Sequence, residues 1–126
     1  MSVYLAVAIG GSVGAVCRYW VSTNTYNWLG TEFPFGTLVV NVSGSFVMGL
    51  LTILLSEKLT LSEELRFALL VGFLGSYTTF STFALDALHW LNNGAVAKAA
   101  MYVLLSVGGS LLGVWAGYLG ARFVLR

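Results

Sequence analysis

The residues best suited to chemistry in this chain form one run, G-S-Y-T-T-F-S-T-F, from Gly75 to Phe83. Six of its nine side chains carry a hydroxyl: Ser76, Tyr77, Thr78, Thr79, Ser81 and Thr82. The run lies inside a long apolar segment, where polar side chains usually face the interior of a helix bundle or a water-filled path. Because hydroxyl groups donate hydrogen bonds, a path lined by this run suits an anion.

Two further polar stripes occur at four-residue spacing, which places each stripe on one face of a helix. They are Thr37, Asn41 and Ser45, and Tyr102, Ser106 and Ser110. A single serine or threonine has a structural alternative, since it can bond the i−4 carbonyl of its own helix or join two helices. The amide of Asn41 is harder to satisfy, because its own backbone meets few of its donors. Together with the hydroxyl run, the stripes predict a lined pathway.

The charged and aromatic residues indicate which kind of ion the path could carry. A proton-coupled cation transporter needs an acid in the membrane, and Asp86 is the only acid inside an apolar segment. Arg18, near the end of the first segment, is an interfacial arginine, an anion attractor or a partner for Asp86. Phe80 and Phe83 lie on one helix face. That face contacts either lipid or the protein core, as most membrane phenylalanines do, or the predicted path. Since the edges of their rings are positive, these residues favour an anion.

Other classes of function find little support. Cys17 and His89 are the only cysteine and the only histidine, so an internal disulfide and a Cys/His metal cluster are excluded. A net charge of +1 gives no electrostatic footprint for nucleic acid. No nucleophile–base pair is visible, and we therefore do not expect an enzyme.

The elements that position these residues are membrane-spanning helices. Hydrophobic residues make up 58% of the 126 residues and charged residues 9%, against roughly 25% charged in globular proteins. A span needs about 20 mostly apolar residues. Four segments qualify: Val3–Ser22, Phe35–Ser56, Leu65–Leu91 and Ala95–Phe123. We expect an all-α integral membrane protein with one four-helix domain, residues 1–126, whose first segment is retained rather than cleaved.

Local signals mark the ends and contacts of these spans. Pro34 suits a first helical turn, Thr60 with Glu63 resembles a capping box, and 92–94 reads as a turn. Glycines at four-residue spacing predict close helix contacts: Gly10 and Gly14, and Gly109, Gly113 and Gly117. Four helices enclose little volume, so we expect a homo-oligomer.

The charge bias between the two sides is weak. Four spans place both termini with Lys58, Arg66, Arg122 and Arg126, and the other side has Lys98 and Arg18. Positive residues usually mark the cytoplasmic side. The bias is either the noise of a short chain or the sign of a chain that inserts in both orientations.

The third span has a weak point near its middle. The β-branched, hydroxyl-rich residues after Gly75 have low helix propensity, and their side chains compete for backbone hydrogen bonds. A break there would free carbonyl oxygens at mid-membrane, where they can hold a monovalent cation such as sodium. The residues alone leave this break as one hypothesis beside a continuous helix.

Four motifs in order resemble the CrcB family, the Fluc fluoride channels. They are G-G-x-x-G-A-x-x-R-Y (Gly10 to Tyr19), G-T-L-x-V-N (Gly36 to Asn41), the run from Gly75 to Phe83, and Gly109-Ser110. The resemblance covers essentially the whole chain. It implies a passive fluoride channel in the cell membrane that lowers cytoplasmic fluoride toxicity. It also implies an antiparallel, dual-topology homodimer with a structural sodium ion at its centre.

The resemblance also implies roles for individual residues. The sodium ion would be held by the backbone carbonyls of Gly75 and Thr78, at a break near the middle of the third helix. The family arginine of the first span falls on Arg18. The fluoride path would be lined by Thr37, Asn41, Phe80, Phe83, Ser106 and Ser110, to which we add the neighbouring hydroxyls of Ser81, Thr82 and Tyr102. The expected partners are fluoride, membrane lipid and a second copy of the chain.

Two other functions remain as alternatives. A small dual-topology multidrug/proton antiporter would need a carboxylate deep in the first span, and this sequence has none there. A non-transporting membrane subunit would tolerate apolar residues in place of the polar stripes.

Overall fold

The computed structural model describes residues 1–125, and within that range the chain is helical apart from short connections. The long helices are α1 (Val3–Leu29), α2 (Phe35–Glu57) and α6 (Val96–Val124). The third span, Glu63–Asn92, is built from several shorter helices. By length and apolar composition, the described residues contain four helices that can cross a membrane. The predicted class, a multi-pass all-α membrane protein, is confirmed.

The third span is interrupted near its middle, as predicted. It begins with α3 (Glu63–Phe67), continues as a wider π-helical stretch (Ala68–Leu74) and ends its first half with α4 (Gly75–Tyr77). Thr78 and Thr79 are then extended, with φ/ψ of −83°/160° and −150°/120°. The second half is α5 (Phe80–Asn92). The π-helical stretch is the part of this span that sequence patterns did not predict.

Two pairs of helices pack closely through glycine, which confirms that role for the predicted glycine faces. In α1, a Cβ on Gly10 or Gly14 would strike the carbonyls of Ala68 and Phe73 in the π-helical stretch. Between α2 and α6, a Cβ on Gly117 would strike the carbonyl of Phe46. Because backbones without side chains approach closely, these contacts need no hydrophobic drive from the lipid.

Two predicted boundaries were wrong. Helix α1 continues to Leu29 rather than stopping near Ser22, because its polar extension bonds its own backbone. Asn24 Nδ2 donates to the Trp20 carbonyl at 2.8 Å, and the helix ends only at Gly30, whose φ is 84°. The cap of α3 is Ser62, whose Oγ accepts from the Leu65 N–H at 3.3 Å, and not Thr60.

The other ends agree with the predictions to within two residues. Pro34 directly precedes α2, and Gly94 makes the turn between α5 and α6 with a φ of 73°. Arg126, used in the charge count, lies outside the described residues.

Candidate functional site

A groove of about 420 Å³ runs beside the break in the third span. Its walls come from α2, α6 and the region where α4 gives way to α5. Its lining residues are Asn41, Gly44, Ser45, Met48, Thr78, Thr79, Phe80, Phe83, Ser106, Val107, Ser110, Leu111 and Val114. The groove thus brings together the three polar groups that the sequence singled out, although they are far apart in the chain.

The side chain of Asn41 forms hydrogen bonds with the non-helical backbone of the third span. Its Nδ2 donates to the carbonyl of Thr79 at 2.8 Å, and its Oδ1 accepts from the N–H of Thr79 at 2.7 Å. In an unbroken helix that N–H would bond the carbonyl of Gly75. The amide therefore replaces the helical hydrogen bonds that the break removes, and it does so with good geometry on both sides.

The hydroxyls that follow the break serve mainly to begin α5. The Oγ1 of Thr79 accepts from the backbone N–H of Thr82 at 3.2 Å and donates to the Thr82 hydroxyl at 3.0 Å. Ser81 Oγ lies 3.5 Å from the same Thr79 oxygen. Ser81 and Thr82 were predicted to line the path, and they lie at its edge, in the first turn of α5, rather than among the groove residues.

The two phenylalanines differ in exposure although both line the groove. Phe80 is 78% exposed, whereas Phe83 is buried. Their ring centroids are 5.5 Å apart with a tilt of 55°. Phe80 begins α5, so the positive partial charge of a helix N-terminus lies beside its ring. The start of α5 therefore adds positive potential at this end of the groove.

One face of α6 contributes two hydroxyl groups to the groove. Ser110 and Ser106 line the groove. Ser106 is 5% exposed, and its Oγ has no hydrogen-bond partner among residues 1–125. A buried, unpaired hydroxyl costs free energy, so such a group commonly has a ligand or water as its partner. Ser106 is thus a donor available to something in the groove.

Tyr102 and Thr37 lie beyond the end of the groove. Both are buried, and the Tyr102 hydroxyl donates to Asp86 Oδ2 at 3.0 Å. Thr37 Oγ1 lies 3.5 Å from the hydroxyl of Tyr26. The two predicted path residues therefore continue the polar faces of α2 and α6 into a closed region rather than into the open groove.

The backbone at Gly75 and Thr78 differs between the two residues. Gly75 begins α4 and is helical, while Thr78 is extended and lines the groove. Arg18 Nη1 donates to the Thr78 carbonyl at a long 3.4 Å. Of the three alternatives for Arg18, the structure shows no contact with Asp86 among the described residues: the hydrogen bond of Arg18 goes to the Thr78 carbonyl, and the Asp86 carboxylate accepts from Tyr102.

Two features of the site went unpredicted. Thr79 belongs to the predicted hydroxyl run, but its two hydrogen bonds to Asn41 and its capping of α5 were not predicted, although its three-residue spacing to Thr82 was a usable signal for that cap. Gly44 of α2 faces the break, where a Cβ would strike Thr78 Cγ2. Nothing in the local sequence distinguishes Gly44 from the other small residues of α2.

The chain is similar to known proteins over nearly its whole length. The family described as "CrcB-like protein, Camphor Resistance (CrcB)" matches residues 5–118. A protein of Methylococcus capsulatus named "Fluoride-specific ion channel FluC" is 53% identical over 117 residues, 93% of this chain and 51% of that protein. Proteins of the same name from Hydrogenovibrio crunogenus and Geobacter sulfurreducens are 45% and 43% identical over 120 and 122 residues.

The coverage differs among these relatives. The chain spans about half the length of the Methylococcus protein, and 91% and 98% of the other two. The matched range, residues 5–118, contains the groove residues Asn41, Phe80 and Phe83. With the family match over residues 5–118 and these identities, the chain belongs to the CrcB family.

Proposed function

We propose that this protein is a fluoride-specific ion channel of the cell membrane, which lets fluoride leave passively and so lowers its toxic level in the cytoplasm. The names of its relatives support the ion, and the four spans support a multi-pass membrane position. A passive channel requires no reaction, in agreement with the absence of a nucleophile–base pair in the sequence.

The observation that carries the proposal is the lining of the groove around Asn41. Its donors are neutral hydroxyls and the edges of aromatic rings, and the Ser106 hydroxyl has no hydrogen-bond partner in the described part of the chain. Fluoride is small, and taking such an ion out of water is expensive. Conduction therefore needs many weak donors in sequence, so that the ion can both enter and leave. A lining of this kind meets that need without a trapping charge.

We propose that the functional unit is a homodimer. The groove is open on one side, and Phe80 stands 78% exposed in it. In a membrane an open polar groove would face lipid, where its hydroxyls would go unsatisfied. A second copy of the chain would close it. The weak charge bias between the two sides favours two copies in opposite orientations, an antiparallel, dual-topology dimer.

We also propose a structural sodium ion at the dimer centre, and the residues fit one. The Gly75 carbonyl loses its usual helical partner, because the Thr79 N–H bonds Asn41 at 2.7 Å. The Thr78 carbonyl belongs to extended backbone. Neutral backbone oxygens of a broken helix suit a monovalent cation. When bound, the ion would add positive charge and connect the two chains.

Arg18 modifies this proposed cation site. Its guanidinium reaches the Thr78 carbonyl at 3.4 Å, and a carbonyl oxygen has two lone pairs. One lone pair can serve Arg18 while the other serves a cation. In the proposal, Arg18 orients the broken backbone and adds positive charge near the anion path.

The test is fluoride efflux from liposomes. Purified protein is reconstituted in vesicles loaded with potassium fluoride, and release is followed with a fluoride electrode after valinomycin is added. Vesicles loaded with chloride and vesicles without protein serve as controls. Protein-dependent fluoride release with no chloride release is the expected result. Absence of fluoride release from well-folded protein would leave the non-transporting subunit as the better reading.

A further inference from the structure

Tyr102 is enclosed by rings at the end of the polar face of α6. It is 0% exposed. The centroids of Phe83, Phe33 and Trp90 lie 5.2, 5.6 and 6.0 Å from its own ring, and Phe33 meets it edge-on at 90°. Its hydroxyl donates to Asp86 Oδ2 at 3.0 Å. The ring and the hydroxyl of Tyr102 therefore contact different groups.

These contacts make Tyr102 a partition between two open spaces. Phe83 belongs to the groove described above. Asp86 belongs to a second cavity of about 210 Å³, which is also lined by Glu32 and His89. Among the described residues, none lines both spaces. An ion that follows the polar faces of α2 and α6 must pass this partition to reach the second cavity.

The loop between α1 and α2, residues 30–34, carries Phe33 over the partition. Phe33 also packs on Trp90, with centroids 5.3 Å apart. The loop begins at Gly30, whose φ of 84° suits glycine and which has open space around it. The loop therefore begins at a glycine, which has wide conformational freedom, and its one aromatic residue is Phe33.

Two open spaces border this loop. Glu32 lines the 210 Å³ cavity. Glu32 and Phe33 also line a third space of about 440 Å³, next to Lys98. These spaces give the loop room to shift.

We propose that Phe33 is the cover of the polar path at Tyr102, and that movement of the 30–34 loop opens this end of the path. The inference rests on the proposed channel function and adds a residue that sets the rate of passage. The covered state is held by the aromatic contacts of Phe33 with Phe35, Trp90 and Tyr102. Weakening those contacts raises the open fraction.

Phe33→Ala tests the cover in the reconstituted full-length protein. The variant loses edge-to-face contacts, and we expect fluoride flux to rise about fivefold, the scale that one lost aromatic pair gives an open–closed equilibrium. Phe33→Leu, which keeps an apolar cover, should give a smaller rise. Phe123→Ala is the matched control, since Phe123 is 80% exposed near the C-terminal end of α6, far in sequence from the 30–34 loop, and has no ring contact among the described residues. Its flux should equal that of the wild type.

A second readout does not depend on fluoride. In a Cys17→Ser background, Thr37→Cys places a thiol at a buried position in the first turn of α2. A water-soluble thiol reagent should modify it several times faster when Phe33→Ala is added, and no faster with Phe123→Ala. Unchanged or reduced flux in Phe33→Ala, equal rises in both alanine variants, or unchanged thiol reactivity would overturn the cover. A silent wild type with faster thiol modification would instead overturn the channel function and leave the cover standing.

Discussion

The side chain of Asn41 in α2 holds both backbone groups of Thr79 in the third span, at 2.8 Å to the carbonyl and 2.7 Å from the N–H. One amide thus satisfies a helix break that is 38 residues away in sequence. Non-helical backbone at membrane depth is tolerated where protein satisfies its polar groups. The break and the groove around it are therefore stabilised by the same residue.

Asn41→Ala should lower fluoride conduction and destabilise the backbone at the break in the third span. The variant removes two hydrogen bonds to Thr79 and one donor to the anion. A hydrogen bond to a charged group is worth roughly 1.5–3 kcal/mol, so fluoride flux should fall about tenfold or more. Liposome efflux measures the flux, and size-exclusion chromatography measures the dimer, which should persist. Asn24→Ala is the control, because Asn24 bonds only its own helix at Trp20. Wild-type flux from Asn41→Ala would show that Asn41 is not part of the fluoride path.

Phe80→Ala should lower fluoride flux and leave the dimer intact. Its ring edge supplies positive potential in the groove, while its 78% exposure means that little packing within its own chain is lost. A severalfold decrease in efflux is the expected result. Phe123, 80% exposed on α6 and absent from the groove lining, provides the comparison. Equal effects of Phe80→Ala and Phe123→Ala would mean that lipid contact, not the groove, explains the change.

Ser106→Ala separates stability from function. The buried hydroxyl has no partner in the described chain, so its removal should keep or raise the free energy of unfolding, by up to about 1 kcal/mol. Flux should nevertheless fall, because a donor to the anion is lost. Thermal unfolding in detergent and liposome efflux measure the two effects on one preparation. A destabilised variant with normal flux would assign Ser106 to helix packing instead.

Gly117→Ala tests the contact between α2 and α6. A Cβ there would strike the Phe46 carbonyl, which the backbone cannot easily avoid, so we expect a loss of about 1–3 kcal/mol in unfolding free energy. Gly120→Ala, three residues on in the same helix, has nothing within 4 Å of the new Cβ. It should be neutral or gain up to about 1 kcal/mol from helix propensity. If the two variants unfold alike, close packing through Gly117 is not what holds the pair.

Removal of sodium should impair the protein if the broken backbone holds that ion. Replacing sodium with the larger cation N-methyl-D-glucamine throughout purification and assay should reduce fluoride flux and weaken the dimer. Restoring sodium should recover both. Flux that is unaltered after thorough removal would count against the site at Gly75 and Thr78.

Much of the architecture follows from the sequence because it depends on local patterns. Apolar length determines the four spans, and glycine spacing marks the helix faces that pack. The weak point after Gly75 is also local, since β-branched and hydroxyl side chains disfavour a helix. What local patterns misjudge is the helix ends: polar residues such as Asn24 extend α1 by bonding their own backbone.

The sequence by itself determined the class of the protein and the polar faces of its helices, and it left the break after Gly75 as one hypothesis. Only the tertiary structure decided what each polar group does, because that depends on which partner it meets. Within residues 1–125, Asn41 bonds Thr79, the Ser106 hydroxyl has no hydrogen-bond partner, and the ring of Phe33 packs edge-on against Tyr102. Hydrogen bonds and ring contacts of this kind join residues far apart in the chain, and no local spacing encodes them.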